Sequence, residues 1–439
     1  MPMPVTKRQK KPNANSTFNF PLMISRMLTN IKQLVNVRED SRALYGNQLA
    51  ELPVIKDAYL ITEGNQIAAY GEMRDLSAMH PHPPSDRMDC SGRLVLPCWC
   101  DSHTHLVFAG SREKELTDRI QGLSYAEIHA CGGGILSTVQ QVNQASEDEL
   151  FNFAWQRLKE ISRQGTGSVE IKSGYGLTVE SELKMLRVIK KLKQRSSLTI
   201  RSTFLGAHTY PLAYRENHGG YLQLIIAEIL PVIAREKLAD YIDVFCEKGF
   251  FNPEETETIL RAGLQYGLKP KLHTNQLNSI GGLQAGIKMN AVSLDHLEVV
   301  SENDIESMTT AGWKGFCTLL PTAAFFLGMP LPAARRLIDA GCAIALASDY
   351  NPGSSPSGNM NLVISLSCLQ MRLSPEEALN AATLNGAFAM ELGDICGSIS
   401  KGKRADLIIT RPVPSLAYIP YAFGTNHIDK VMIGGEFIS

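Results

Sequence analysis

The chain has 439 residues, enough for one large domain plus a smaller one, and 44% hydrophobic with 20% charged residues exclude a fibrous or disordered protein. A formal net charge of −1 supplies no global field for nucleic acid or an anionic membrane, so a small molecule is the expected partner. The nine cysteines are odd in number and scattered through apolar runs, which fits free thiols in a reducing compartment and argues against a disulfide framework.

In chain order, residues 1–22 read as a disordered basic tail, with Lys7, Arg8, Lys10 and Lys11 and no acidic residue. A transit segment, or sequence upstream of a true start at Met23 or Met27, would have the same composition. No uncharged run approaches the ~18–20 residues of a membrane span and no secretory segment opens the chain, so a cytoplasmic location is expected. The runs Ala58–Thr62 and Ile67–Tyr70 flank Gly64-Asn65 and predict a β-hairpin. Ala405–Thr410 and Lys430–Gly434 predict further short strands near the other end. Short strands at both ends predict a small composite β-sandwich domain, assigned to residues 23–96 and 393–439.

Between them, over residues 97–392 and beginning just before, short apolar runs alternate with longer amphipathic segments. Eight strands are predicted: Leu94–Cys100, Ser168–Lys172, Thr199–Leu205, Tyr241–Cys246, Leu268–Leu272, Ala291–Asp295, Gly315–Leu320 and Cys342–Ala347. Asn252-Pro-Glu-Glu255 and Ser374-Pro-Glu-Glu377 carry helix-start signals, and Leu183, Leu186, Ile189 and Leu192 give one apolar helix face. Eight such units imply a TIM (β/α)8 barrel, an α/β fold; a doubly wound open sheet has a similar pattern. Cys98-Trp-Cys100 has the wrong spacing for a zinc knuckle and reads as strand.

Barrels place functional groups at the C-terminal ends of strands. The first strand runs into Asp101-Ser-His103-Thr-His105, the fifth into His273, the sixth into His296 and the eighth into Asp349. Alternate residues on a strand share a side, so His103 and His105 can grip one ion. With His273 and Asp349 they compose an N/O set suited to Zn²⁺ or Fe²⁺ with a position left for water. Water on such an ion ionises near pKa ~7, and a metal-bound hydroxide hydrolyses amides, cyclic amides or amidines.

Longer motifs carry a resemblance. Arg112, Val169-Glu-Ile-Lys-Ser-Gly-Tyr-Gly176, Phe204-Leu-Gly-Ala-His208, Asp243-Val-Phe-Cys-Glu247, Asp295-His-Leu-Glu298 and Ser348-Asp-Tyr-Asn-Pro-Gly353 are together similar to the imidazolonepropionase family of the amidohydrolase superfamily. The likeness runs from about Leu28 onward and implies a TIM barrel with a composite β-sandwich. It implies hydrolysis of 4-imidazolone-5-propanoate to N-formimidoyl-L-glutamate in histidine catabolism, with zinc or iron (Fe²⁺ or Fe³⁺), in a homodimer. The implied metal ligands are His103, His105, His273 and Asp349. The implied substrate contacts are Arg112, Tyr175 and His208, with Asn351, Gly353 and Ser354 binding the product. A propanoate tail is a carboxylate, which an Arg fork and a Tyr hydroxyl recognise. Arg112 is thus the expected specificity residue, and Tyr125 a secondary candidate.

His208 is expected to donate to the ring carbonyl or the tail. His296 is expected to orient the hydroxide and carry its proton to the leaving nitrogen. Gln276 stands where the family carries Glu or Gln; an amide cannot act as a base, so it is assigned substrate hydrogen bonding, with proton transfer left to His296 and Asp349. Strand four ends without a lysine to bridge two ions, Lys248 following Glu247, so one metal ion per subunit is expected. Cys131-Gly-Gly-Gly134 reads as a flexible loop, and His129, His218 and His427 as exposed or helix-end residues. The competing readings are another cyclic-amide hydrolase or deaminase, for which Arg112 would be idle, and a silent relative, which would have lost ligands.

Overall fold

In the computed structural model, residues 24–123, 127 and 133–438 are described. The first strands, β1 (Ser25–Val35), β2 (Val54–Glu63), β3 (Gln66–Glu72), β4 (Asp86–Asp89) and β5 (Leu94–Pro97), belong to a small β domain. The hairpin predicted around Gly64 is β2–β3, antiparallel, with Gly64 in the left-handed conformation (φ +56°) that a tight turn needs.

The barrel strands follow: β6 (Trp99–Thr104), β7 (Thr166–Lys172), β8 (Thr199–Ala207), β9 (Tyr241–Cys246), β10 (Lys269–Pro270) with β11 (Leu272–Thr274), β12 (Ser293–His296), β13 (Phe316–Leu319) and β14 (Ala343–Leu346). Neighbours from β6 to β14 pair in parallel, with β10 and β11 forming one interrupted stave. The ring closes where the chain beyond β14 meets β6: Asp349 N–H donates to the His103 carbonyl (3.0 Å) and His105 N–H to the Tyr350 carbonyl (2.9 Å). Closure excludes the open doubly wound sheet. It also sets the eighth strand's carboxylate beside the first strand's imidazoles.

Strands β15 (Leu407–Thr410), β16 (Ile428–Ile433) and β17 (Glu436–Phe437) return to the small domain, in the order β17-β16-β15-β5-β1-β2-β3 with β4 beside β1. Leu28, Ile31, Leu60 and Val95 share one buried core with Leu407, Ile409 and Met432, so residues near both chain ends build it.

One expectation needs correction. The apolar run Leu94–Cys100 is not a single barrel strand: Leu94–Pro97 pairs with β1 and β15, and the barrel stave starts at Trp99. Both halves are buried on both faces, so no change of hydrophobicity marks the crossover at Cys98.

The helix readings agree with the structure. Leu183, Leu186, Ile189 and Leu192 are buried on the helix Val179–Arg195. Asn252 and Ser374 each close a capping box with Glu255 and Glu377. The eight described cysteines are free thiols, all buried except the half-buried Cys368. Among the described residues no helix is long and apolar enough to cross a membrane.

Candidate metal centre

The centre grows from the seam of the barrel. His103 and His105 project to one side of β6, and their Nε2 atoms lie 3.3 Å apart. Asp349 Oδ1 lies 3.4 Å from the first and 3.5 Å from the second. One nitrogen of His273, from β11, joins those of His103 and His105 within a span of 4.8 Å. A tetrahedron with metal–ligand bonds of about 2.0–2.1 Å has edges of about 3.3–3.4 Å, which the distances linking His103, His105 and Asp349 match, while His273 joins the imidazoles within the wider span.

The chemistry of the donors fits a divalent cation as well. All four side chains are buried. Burial, the Lys172 ammonium and neighbouring imidazoles hold His103 and His273 well below the ordinary histidine range; for His105 the cause after burial is the His208 imidazole. The rings are therefore neutral, with lone pairs to offer. Among the described residues, Nε2 of His273 and Nδ1 of His105 have no hydrogen-bond partner. Such buried orphans are costly unless something binds them.

A buried ionic layer underlies the ligands. His103 Nδ1–H donates to Asp295 Oδ2 (2.7 Å), which fixes the tautomer that leaves Nε2 for metal. Asp243 accepts the His273 backbone N–H (3.1 Å), and its other oxygen is 3.0 Å from His273 Nδ1. Lys172 Nζ touches Glu170 (2.6 Å), Asp243 (2.8 Å) and Asp295 (3.3 Å), while Lys271 pairs with Glu170 from the other side. Burial works against the charge on Lys172, but Asp243, Glu170 and Asp295 together hold its pKa above the usual lysine range. Asp295 is pushed up by burial and pulled down further by Lys172 and Lys271, so it stays ionised. Three carboxylates against two ammoniums place a surplus of negative charge under the imidazoles, complementary to a cation above them.

Above the ligands opens a cavity of about 490 Å³. His105, His273, His296, Asp349, Arg112, Tyr175, His208, Gln276, Asn351, Gly353 and Ser354 all line it, with Phe245, Phe250 and Met329 among its apolar walls. His103 sits behind this lining, fully buried. Arg112 is no surface residue: its side chain is 7% exposed, and Nε and Nη2 grip Glu115 at 2.8 and 2.6 Å. Its Nη1 runs so close to Gly353 that an added Cβ would lie 2.0 Å away.

His208 donates from Nδ1 to the Gly174 carbonyl (3.1 Å), and burial lowers its pKa to about 4. The ring is neutral and Nε2 is an acceptor, the opposite polarity from the donor expected of it. His296 lies at the end of β12 with φ +85°, followed by Leu297 at +64°, a strained pair of non-glycine residues. Burial lowers its pKa, but the Glu298 carboxylate 3.4 Å away, with Asp349 and Asp295, raises it to a net position above the ordinary value.

Asn351 spends its amide on the loop itself, donating to the Asp349 carbonyl and Ser354 Oγ and accepting from the Gly353 and Ser354 amides. Ser354 Oγ in turn donates to Asp349 Oδ2 (3.0 Å), aiming the other oxygen at the imidazoles. The loop therefore positions Asp349 as well as lining the cavity.

The sequence alone assigns no role to Glu115, Glu170, Lys172, Asp243, Asp295 or Glu298. Their signals were present but weak: Arg112/Glu115 at i,i+3, His296/Glu298 at i,i+2, and alternate charges inside an apolar strand at Glu170/Lys172. Tyr125, His129 and Cys131 lie outside the described residues. His218 pairs with Glu255 (3.0 Å) and stacks on Tyr210, whereas His427 is buried against the Ala422 carbonyl; neither lines the cavity.

A closed barrel with an imidazole-rich divalent-metal centre at the C-terminal ends of its strands defines a hydrolase of the amidohydrolase superfamily. Residues 255–438 match the amidohydrolase family. Among solved structures the chain is similar to a triazine hydrolase variant (TM-score 0.70, 16% identity, 94% of each chain) and to a zinc-bound adenosine deaminase from Xanthomonas campestris (0.68, 17%, 94% of this chain and 92% of that one). Those likenesses concern the fold. In sequence it is 53% identical to the imidazolonepropionase of Flavobacterium johnsoniae and 51% identical to that of Christiangramia forsetii, in each case over 94% of this chain and 99% of the relative. The chain belongs to the imidazolonepropionase family.

Proposed function

We propose that the protein hydrolyses the cyclic amide of 4-imidazolone-5-propanoate to N-formimidoyl-L-glutamate, using a single zinc or iron ion held by His103, His105, His273 and Asp349. When bound, such an ion polarises a carbonyl and brings the pKa of coordinated water toward ~7. Arg112, oriented by Glu115, binds the propanoate together with Tyr175. His208 accepts a ring N–H at Nε2, and Gln276 hydrogen-bonds the substrate. His296, backed by Glu298, carries a proton to the leaving ring nitrogen, and Asp349 assists from the other side. The loop from Asn351 to Ser354 holds Asp349 and receives the product.

The observation that carries this reading is the ligand set, spaced 3.3–3.5 Å where the distances link His103, His105 and Asp349, at the base of a cavity walled by Arg112. The test is turnover of 4-imidazolone-5-propanoate, followed by ring absorbance, before and after chelation and after reloading with zinc or ferrous iron. Activity should vanish and return, and unchanged turnover by metal-free protein would sink the reading. We further propose a homodimer, from the family resemblance, and a cytoplasmic location, supported by the free thiols. Residues 23–96 with 393–439 are proposed as one domain and 97–392 as the other.

A further inference from the structure

The loop that carries Tyr175 leaves β7 and enters the helix Val179–Arg195 through an unusual arrangement. Gly174 has φ +111° and Leu177 φ +55°, so two positions of this short turn are left-handed, one of them a branched residue that disfavours it. An added Cβ on Gly176 would lie 2.4 Å from the Glu182 amide nitrogen, so the loop is pressed onto the first turns of the helix.

What holds it there is one side chain. Glu182 is fully buried, and its Oε1 accepts the N–H groups of Gly176 (2.7 Å) and Leu177 (3.0 Å), while Oε2 accepts that of Gly174 (3.2 Å). The Ser173 hydroxyl beside the carboxylate favours its ionised form, and the hydroxyl oxygen accepts the Leu205 amide (3.1 Å). No cation lies within ion-pair distance of Glu182 among the described residues. A buried carboxylate without a cation is expensive, and here three amide hydrogen bonds offset part of the cost, burial still holding its pKa above the usual glutamate range.

Those bonds fix two cavity residues together. Tyr175 stands between the clamped amides of Gly174 and Gly176, and the carbonyl of Gly174 is the acceptor that sets the ring and tautomer of His208. The two rings lie 5.3 Å apart on the same wall. We infer that Glu182 is a positioning residue for substrate recognition: it holds Tyr175 and His208 in place without itself touching substrate. This rests on the proposed roles of Tyr175 and His208.

Glu182→Gln is the test, because glutamine is isosteric and neutral and so buries no bare charge. It keeps one acceptor oxygen but turns an NH₂ group toward donors. KM for 4-imidazolone-5-propanoate should rise on the order of 10- to 100-fold, kcat should change much less, and metal content should match the unsubstituted protein. Ser173→Ala, which removes the neighbouring hydroxyl that favours the ionised carboxylate and anchors the Leu205 amide, should move KM the same way by less. Combined with Tyr175→Phe, Glu182→Gln should be less than additive on KM.

A purely structural role would lower Tm and leave KM unmoved, and that result overturns the inference. If Glu182→Gln does not fold, an unmoved KM in Ser173→Ala overturns it instead. Unmoved KM in Tyr175→Phe and His208→Asn overturns the substrate assignment and this inference with it. A rise there without one in Glu182→Gln overturns the inference alone.

Discussion

Asp295→Asn probes the ionic layer without altering the volume of the core. Asp295 Oδ2 is 2.7 Å from His103 Nδ1 and 3.3 Å from Lys172 Nζ, and all three side chains are fully buried. Asparagine can still offer an oxygen to the imidazole, but it removes the charge from that bond and cancels the surplus negative charge under the metal ligands. A hydrogen bond to a charged group is worth about 1.5–3 kcal/mol and a neutral one about 0.5–1.5 kcal/mol. The difference, about 1–2 kcal/mol, corresponds to a roughly 5- to 30-fold weaker hold on the ion. Loss of an outer-sphere partner in comparable metal sites costs 10- to 100-fold, which overlaps that range. The assay is competition for Zn²⁺ against a chromophoric chelator, which reads affinity without any turnover. A folded Asp295→Asn protein with the parent's Kd within twofold would refute the claim that this carboxylate tunes the centre.

Arg112→Gln should raise KM for the propanoate substrate by roughly 10- to 150-fold, the worth of a charge-assisted contact, and leave metal content unchanged; equal KM in steady-state kinetics would remove Arg112 from recognition. Gly353→Ala should reproduce much of that effect, because its new Cβ meets Arg112 Nη1 at 2.0 Å while the backbone there is one alanine can adopt. Glu115 is pushed up by burial but held below the usual glutamate range by the Arg112 fork and the Gly134 amide. A depressed carboxyl lends stability above its unfolded value, about 4.3, and loses it as pH falls through the lower folded value. Tm measured against pH should therefore keep this contribution at neutrality and shed it only in acid, and Glu115→Gln should erase that part of the acid limb.

The barrel was legible because its strands are short apolar runs separated by helices with clear caps, as at Asn252 and Ser374. His103, His105, His273 and Asp349 could be found because each follows such a run, where a barrel keeps its reactive ends. The layer beneath them was hidden for a definite reason. Glu170 and Lys172 alternate with Val169 and Ile171, the pattern of a strand with one wet face, yet both faces of β7 are buried. Only the closed ring turns Lys172 inward onto Asp243 and Asp295, and Glu170 onto Lys271. The tautomer of His208 was equally out of reach, since the deciding carbonyl belongs to Gly174, 34 positions upstream.

The crossover at Cys98 has a consequence for how the protein comes into being. Pro97 closes a strand held by β1 and β15, and Trp99, two positions later, opens the stave that ends in His103 and His105. A segment near residue 408, emitted from a ribosome long after residue 105, is thus what braces the root of the strand that carries His103 and His105. A nascent chain can complete most staves of the ring while that root still lacks its flanking partner. Competence to capture the ion should therefore arrive late and all at once, after the tail has docked.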